Sequence, residues 1–423
     1  MRFKYLVTLV AMSLGMTAYT KAAIADVTVS WQAGDNSANI QRAINTGDST
    51  VIINKSDKPW LIGKPIYANK PNQKILFQPG VVLEAQPGAF KGKYESMVSV
   101  MADNVTLSGY GAEFKMRKAD YANPSLYEKS EWRHNIHVRG ARNFIIEGLT
   151  LKDSGGDGIL VEHGPNEPNQ LPVSKYSSGT IRGINASDNY RQGISVVSAK
   201  DLLIENSTFQ NTSGTEPASG VDLEPDHDWQ KLVNVRFNNT YFKNNQLDGI
   251  KIALWHYHGS QVEDISITFD GCQSFNNGKN GIDITGIDDG YYDGPKGNIN
   301  FKNCKVESSK EHGVYIQNDQ KDPTKTFNIS FTNTSIVNSA TKSTEFYPIT
   351  LFNTFEPGGI PNINFGSDFV ITDNKSRPGL FASYFAQTHG LTNIHGSIAV
   401  KNPLKRTSYL GNNLSNVTLK FTN

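Results

Sequence analysis

The sequence predicts an all-β chain, a single-domain right-handed parallel β-helix with a capping helix near its start. Three observations predict it. A glycine followed by apolar, any, apolar recurs six times: Gly158-Ile159-Leu160-Val161, Gly193-Ile194-Ser195-Val196, Gly220-Val221-Asp222-Leu223, Gly249-Ile250-Lys251-Ile252, Gly281-Ile282-Asp283-Ile284 and Gly313-Val314-Tyr315-Ile316. The copies lie 27–35 residues apart, the spacing at which self-similar segments stack into a solenoid. Only 37% of the 423 residues are hydrophobic, which suits short strands around a thin core. Repeats of this length with three short strands per coil fit a β-helix. The leucine and asparagine phasing of a leucine-rich horseshoe is missing.

The elements follow in order. Met1-Arg2-Phe3-Lys4 is a basic start, Tyr5 to Met16 an apolar run, and Ala23-Ile24-Ala25 a small-x-small site. Residues 1–25 therefore read as a secretory signal cut before Asp26, the apolar run being too short to stay in a membrane. The expectation is a soluble, monomeric protein outside the cytoplasm, periplasmic or extracellular, with 26–423 as its β-helix. Between Asp35 and Asn45, Ile40, Ala43 and Ile44 recur at helical spacing, with Asp35 or Asn36 placed to cap. Such a helix would cover the open end of a solenoid. Val51-Ile52-Ile53, Lys74 to Phe77 and Val81-Val82-Leu83 read as strands, and coils are regular from about 75 to 340. Each carries a second strand ending at an Asn or Gly turn, as in Leu202 to Asn206, Ile265 to Phe269 and Ile299 to Asn303. Asparagine tolerates left-handed backbone and can form amide ladders between coils. Ile349 to Phe352, Phe369 to Ile371 and Ile398 to Val400 read as irregular coils or a cap. Cys272 and Cys304 precede their glycines by the same interval. They should therefore stack in adjacent coils, either as a disulfide or as two buried thiols.

Stacking puts the central residues of the repeats in one outward column: Leu160, Ser195, Asp222, Lys251, Asp283, Tyr315, preceded by Ser99 and His137 from Val98-Ser99-Val100 and Ile136-His137-Val138. Two residues on, a second column holds Arg139, Glu162 and Glu224. Asp222, Glu224, Lys251 and Asp283 thereby become neighbours, and like carboxylates together cost stability unless a ligand, cation or shared proton compensates. Loops leaving these strands carry Asp226, His227, Trp255, His256, Tyr257, His258 and Tyr291, and should wall the face into a groove. With 41 basic and 40 acidic residues, the bulk charge offers no field for nucleic acid.

Two chemistries fit. Carboxylates astride a glycosidic bond can act as acid and as base or nucleophile. Asp222 and Asp283 lie two coils apart, about 9.6 Å. Alternatively, Lys251 serves as the base of a β-elimination if desolvation lowers its pKa. Arg139, or a Ca²⁺ held by Asp222, Glu224 and Asp226, would then neutralise a uronate. Otherwise no cofactor or metal is expected.

The export signal, coil repeat and acidic column resemble the pectate-lyase-like superfamily of secreted β-helix carbohydrate enzymes, over roughly residues 75 to 340. Within it, Arg191 to Val196 and Ser219 to Pro225 are similar to segments of β-helix repeat proteins. The motif set of polygalacturonases is not intact, with Asp288-Asp289 only a loop pair. The Asp-Pro-His of epimerases is replaced by Glu224-Pro225-Asp226-His227. The resemblance implies action on an extracellular polysaccharide, neutral or anionic. The reading is a glycosidase with Asp222, Glu224, Asp283 and Lys251 catalytic and His137, Arg139, Glu162, Asp226, His227, Trp255, His256, Tyr257, His258 and Tyr291 binding sugar. A lyase or C5-epimerase is the alternative, and a non-catalytic glycan-binding or adhesion protein the rival.

Overall fold

The computed structural model describes residues 26–164, 176–287, 296–318, 327–353, 362–379, 381–385, 391–401, 409–410 and 414–422. Residues 1–25 and the aromatic Tyr291 lie outside them. So does the pair Asp288-Asp289.

Every strand pairing among the described residues is parallel, in two sheets. Twelve strands stack into the sheet that carries the glycine repeat, from Ile66–Ala68 to Tyr409–Leu410. The other two strands of each coil stack separately. Long strands that bend from one stack into the next, such as Phe144–Lys152 and Asn362–Thr372, join them into one sheet. Stacking continues to Thr422. The irregular C-terminal region expected from the sequence thus forms coils, with Ile349–Asn353 and Leu391–Lys401 among their strands.

The repeated glycine has a steric cause. A Cβ built on Gly158 would stand 2.6 Å from the carbonyl oxygen of Gly193, and one on Gly220 would stand 2.7 Å from that of Gly249. The same collision recurs at Gly193, Gly249, Gly281 and Gly313, the last against Pro348. Those oxygens accept the N–H of the residue after each glycine, as Ile194 N–H donates to Gly220 and Val221 N–H to Gly249. A side chain would push the coils apart and break the ladder.

The predicted column is therefore in register: Ser99 pairs with His137, His137 with Leu160, Leu160 with Ser195, and so on through Asp222, Lys251, Asp283 and Tyr315. One expectation needs correcting. Ser195, Asp222 and Asp283 point outward yet are buried, because the segment before each glycine folds over them. Gln192 reaches Asp222 and Asn280 reaches Asp283.

Inside, Val and Ile of the repeat meet stacked aromatic rings from the opposite wall. Phe237, Phe269, Phe301, Phe331 and Phe365 lie face to face with centroids 4.6, 5.0, 5.1 and 5.3 Å apart. The capping helix spans Ser37–Asn45 and buries Ile40, Ala43 and Ile44. Asp35 accepts the Ser37 N–H and hydroxyl at its start. Asparagines at the turns adopt positive φ (Asn143 55°, Asn276 54°, Asn303 54°) and pass amide hydrogen bonds between coils, such as Asn333 to Asn303 at 2.8 Å. Cys272 and Cys304 are free, buried and adjacent, each donating to a backbone carbonyl.

Phe269 sits mid-stack with rings on both faces. Phe269→Ala is expected to cost about 3–5 kcal/mol, read from guanidinium unfolding. A loss below about 1 kcal/mol would mean that neighbouring rings close the gap.

Candidate active site

A cleft of about 330 Å³ opens on the repeat sheet over the coils of His137, Leu160, Ser195 and Asp222. The floor is Leu160, Ser195 and Val197. Glu162, His137 and Arg139 stand on one side, and Asp222, Glu224 and Asp226 on the other. Each group is placed by strand pleat and coil register alone. The strand Ile159–Glu162 pairs with Ile136–Arg139, setting Glu162 beside Arg139. Val221–Leu223 lies two coils further on.

The two sides differ electrostatically. Glu162 Oε1 lies 2.6 Å from His137 Nε2 and 3.8 Å from Arg139 Nε. Burial raises the pKa of Glu162, but the His137 hydrogen bond and the nearby positive charges outweigh it and hold the carboxyl below its ordinary value. Asp222 behaves oppositely. Desolvation and the adjacent Glu224 carboxylate push it well above the usual range, against the pull of Arg191 and Lys251. Gln192 donates to its Oδ2 at 3.1 Å, while its Oδ1 has no donor. A retained proton lets Asp222 donate to Glu224. Asp226 is raised as well, by burial and by Glu224.

Behind this wall lies Arg191, which the sequence reading quoted only as part of a similar segment. Its guanidinium touches Glu224 (3.3 Å), Glu131 (3.6 Å) and Asp157 (3.7 Å). Desolvation opposes its charge, yet Asp157, Asp222, Glu224 and Glu131 together raise its pKa. One cation thus serves four carboxyls, so a buried acid must keep its proton. Asp157, fully enclosed, is pushed up to about 7 by desolvation. His134 approaches Asp157 Oδ2 at 3.4 Å, but its Nδ1 accepts the Asp157 N–H and burial keeps the ring neutral, so the contact is no ion pair.

The sequence offered a signal for these groups. The residue before each repeated glycine is polar on all six coils: Asp157, Gln192, Ser219, Asp248, Asn280 and His312. This further column runs one residue ahead of the glycines, and Arg191 adjoins it in the chain.

The remaining predicted residues divide. Lys251 and Asp283 meet, but in a neighbouring cleft of about 270 Å³ lined also by Trp255, Lys279, His312 and Tyr315. There Lys251 Nζ donates to Asp283 Oδ1 at 2.9 Å and to Thr285 Oγ1 at 2.8 Å. Although desolvation opposes it, Asp283 and Asp248 raise its pKa. The lysine stays protonated, which corrects its expected role as an elimination base. Tyr257 is also corrected: it is fully buried, donating its hydroxyl to Glu263 O, and presents no face to a sugar. His227 stacks on Trp229 at 5.3 Å beside Asp226. His256 is exposed and His258 half-buried on the loop beyond Trp255. Tyr94 and Trp132, absent from the sequence reading, line the first cleft. Among the described residues no group of three or more His, Cys, Asp and Glu side chains is arranged to hold a metal, and no helix is long and apolar enough to cross a membrane.

Three buried nitrogens lining this cleft lack a hydrogen-bond partner among the described residues: His134 Nε2, Arg139 Nε and Arg191 Nε, the last two only within ion-pair distance of Glu162 and Glu131. Orphaned buried groups are rare in folded proteins and mark strained or ligand-binding places.

Comparison with known proteins agrees with the architecture. Residues 127–292 match the family described as a right handed beta helix region. Uncharacterized protein YclG of Bacillus subtilis (strain 168) is 27% identical over 183 residues, covering 41% of this chain and 31% of that protein. The chain spans less than a third of the length of the curated relatives it matches. The A-module of the Azotobacter vinelandii mannuronan C-5 epimerase AlgE6 superposes with a TM-score of 0.59 at 13% identity, over 92% of this chain and 96% of that one. The Yersinia enterocolitica family 28 exopolygalacturonase gives 0.54 at 10% identity, over 93% and 78%. The fold is that of the right-handed β-helix proteins to which the sequence resemblance pointed.

Asp157 keeps its proton to about pH 7 when folded but ionises near pH 3.9 when unfolded, so the native state binds the extra proton between these values. The stability contributed by this group is full below that window and falls as pH rises through it. Asp157→Asn is expected to remove this fall. Unfolding midpoints of wild type should decline relative to the variant between about pH 4 and 7, and a constant difference would place the Asp157 pKa in the ordinary carboxylate range.

Proposed function

We propose that the chain is an exported, polysaccharide-active enzyme that hydrolyses a glycosidic bond with inversion, in the cleft between Glu162 and the Asp222–Glu224 pair. The observation that carries the reading is the divergence of two carboxyl environments across one cleft. Glu162 is held ionised by His137, and Asp222 is held protonated by burial and Glu224. Titratable groups pushed apart in this way supply an acid and a base to one reaction.

The rows of Glu162 and Glu224 lie two coils apart, about 9.6 Å, at the upper end of the separation that leaves room for a water in an inverting enzyme. The Asp222–Glu224 pair delivers its proton to the glycosidic oxygen, breaking the C–O bond. Glu162 takes a proton from water attacking the anomeric carbon from the opposite face, and His137 holds Glu162 in place by occupying one of its oxygens. Arg191 keeps the acid pair from carrying two uncompensated charges. Solved proteins of this fold include one named as an epimerase of mannuronan and one as an exopolygalacturonase, which supports a glycan substrate without selecting the chemistry. Arg139, Arg191 and His137 lining one cleft suit an anionic sugar, and on that ground a β-elimination or epimerisation is the second reading.

The test is a panel of polygalacturonate, mannuronan and a neutral β-glucan, with products followed by proton NMR. Hydrolysis giving the inverted anomer is expected, with Glu162→Gln and Asp222→Asn each lowering kcat by about 10²–10⁴. Unsaturated, ultraviolet-absorbing products would replace hydrolysis with elimination. Retention of a polymer without turnover would make this a binding protein.

A further inference from the structure

At the end of the cleft farthest from Asp222, two aromatic rings stand in solvent. Tyr94 and Trp132 lie on the segments leading into the strands Val98–Val100 and Ile136–Arg139, and both line the cleft. They are 72% and 37% exposed, with ring centroids 5.2 Å apart and planes inclined at 32°. Exposed large apolar groups placed together mark a contact surface more often than an accident of folding.

The loops beneath them are not free to collapse. Arg133, fully buried, donates to the carbonyls of Phe90, Gly92, Lys91 and Glu128. Ser130 donates to Lys93 O and accepts the Trp132 N–H. Lys93 pairs with Glu128 at 2.6 Å. Both ring-bearing segments are stitched together, and they hold out a ring pair in which Tyr94 leans against Trp132 and keeps a face open to solvent.

His134, two residues after Trp132, lines the same cleft. Because its Nδ1 accepts the Asp157 N–H at 2.9 Å, the neutral ring carries its proton on Nε2. That N–H is buried and finds no acceptor among the described residues. An exposed aromatic face in the same cleft as an unused donor matches the two features of a pyranose ring: a face of C–H groups and a rim of oxygens.

We infer that Tyr94, Trp132 and His134 form a sugar-binding subsite, distinct from the acid–base groups, for a ring of the glycan that runs through the cleft. The open face of Tyr94, backed by Trp132, covers the C–H face of that ring, and a hydroxyl or ring oxygen accepts from His134. Aromatic faces carry the negative side of a quadrupole, so the ring lying on them presents its uncharged face, whatever charge is carried by the sugar at Arg139. The inference rests on the glycan reading of the cleft.

Tyr94→Ala, Trp132→Ala and the double variant are compared with wild type on the three polymers of the panel. Turnover and retardation in gels cast with each polymer are both measured. Since both side chains are exposed, circular dichroism and thermal unfolding should be unchanged. The double variant is expected to raise KM by about tenfold with kcat within about twofold, and to lose retardation, whereas Asp222→Asn loses turnover but is still retarded. Unchanged KM and retardation in the double variant would overturn the subsite alone. Wild type that turns over no polymer, but whose retardation is lost in the double variant, would end the hydrolase reading and leave the subsite standing. Wild type neither turning over nor retarded by any of them would overturn both.

Discussion

Everything in this molecule depends on how closely one coil lies on the next. A glycine before six of the twelve repeat-sheet strands lets the carbonyl of the following coil come within reach of a backbone N–H, where a methyl group would collide. This fixes the axial step and the register together. With register fixed, the sequence between glycines becomes free to vary in length, because each coil returns to the same point. Loops of unequal size therefore hang from an even lattice, and side chains 25–35 residues apart in the chain meet as strand neighbours.

The cleft exploits that regularity in a manner unfavourable to stability. Coil packing forces Asp157, Asp222, Glu224 and Glu131 around a single Arg191, an arrangement that leaves buried charge undercompensated. Proteins tolerate such clusters where ionisation must be poised. The neighbouring cleft answers the same problem in part: Lys251 neutralises Asp283 and Asn280 fills its second oxygen, while the buried Asp248 beside them is pushed up to about 7 by desolvation and by Asp283. One scaffold thus holds, about one coil apart, a cluster with a direct Lys251–Asp283 ion pair and a cluster in which four carboxyls surround Arg191.

Much of this was legible in the sequence because the glycine acts as a ruler. It aligned His137, Asp222, Lys251 and Asp283 as the structure has them, and Ile40, Ala43 and Ile44 revealed the capping helix. Alignment gives neighbours along the stack but not the depth of each side chain. Asp222 looked like a surface charge and proved buried, since nothing in the repeat announces that Gln192 folds over it. Tyr257 sat among exposed loop residues yet turned inward, because its hydroxyl found Glu263 O. Arg191, His134, Tyr94 and Trp132 escaped notice as site residues because they precede the strands, where chain direction is set by turns and not by pleat. The polar residue before each glycine carried a readable trace of Arg191 alone, as the chain neighbour of Gln192.

The stack of phenylalanines has a consequence for how such a chain can change over time. Phe237, Phe269, Phe301, Phe331 and Phe365 occupy equivalent points on successive coils, each ring resting on the last. A duplicated coil inserted among them would bring its own ring, its own glycine and its own strands, and would meet the same neighbours above and below. The interior would gain one layer without being redesigned, and the groove outside would lengthen by one step while its chemistry stayed where it was. Heredity can therefore adjust the length of this groove in whole units, leaving the cleft between Glu162 and Asp222 untouched.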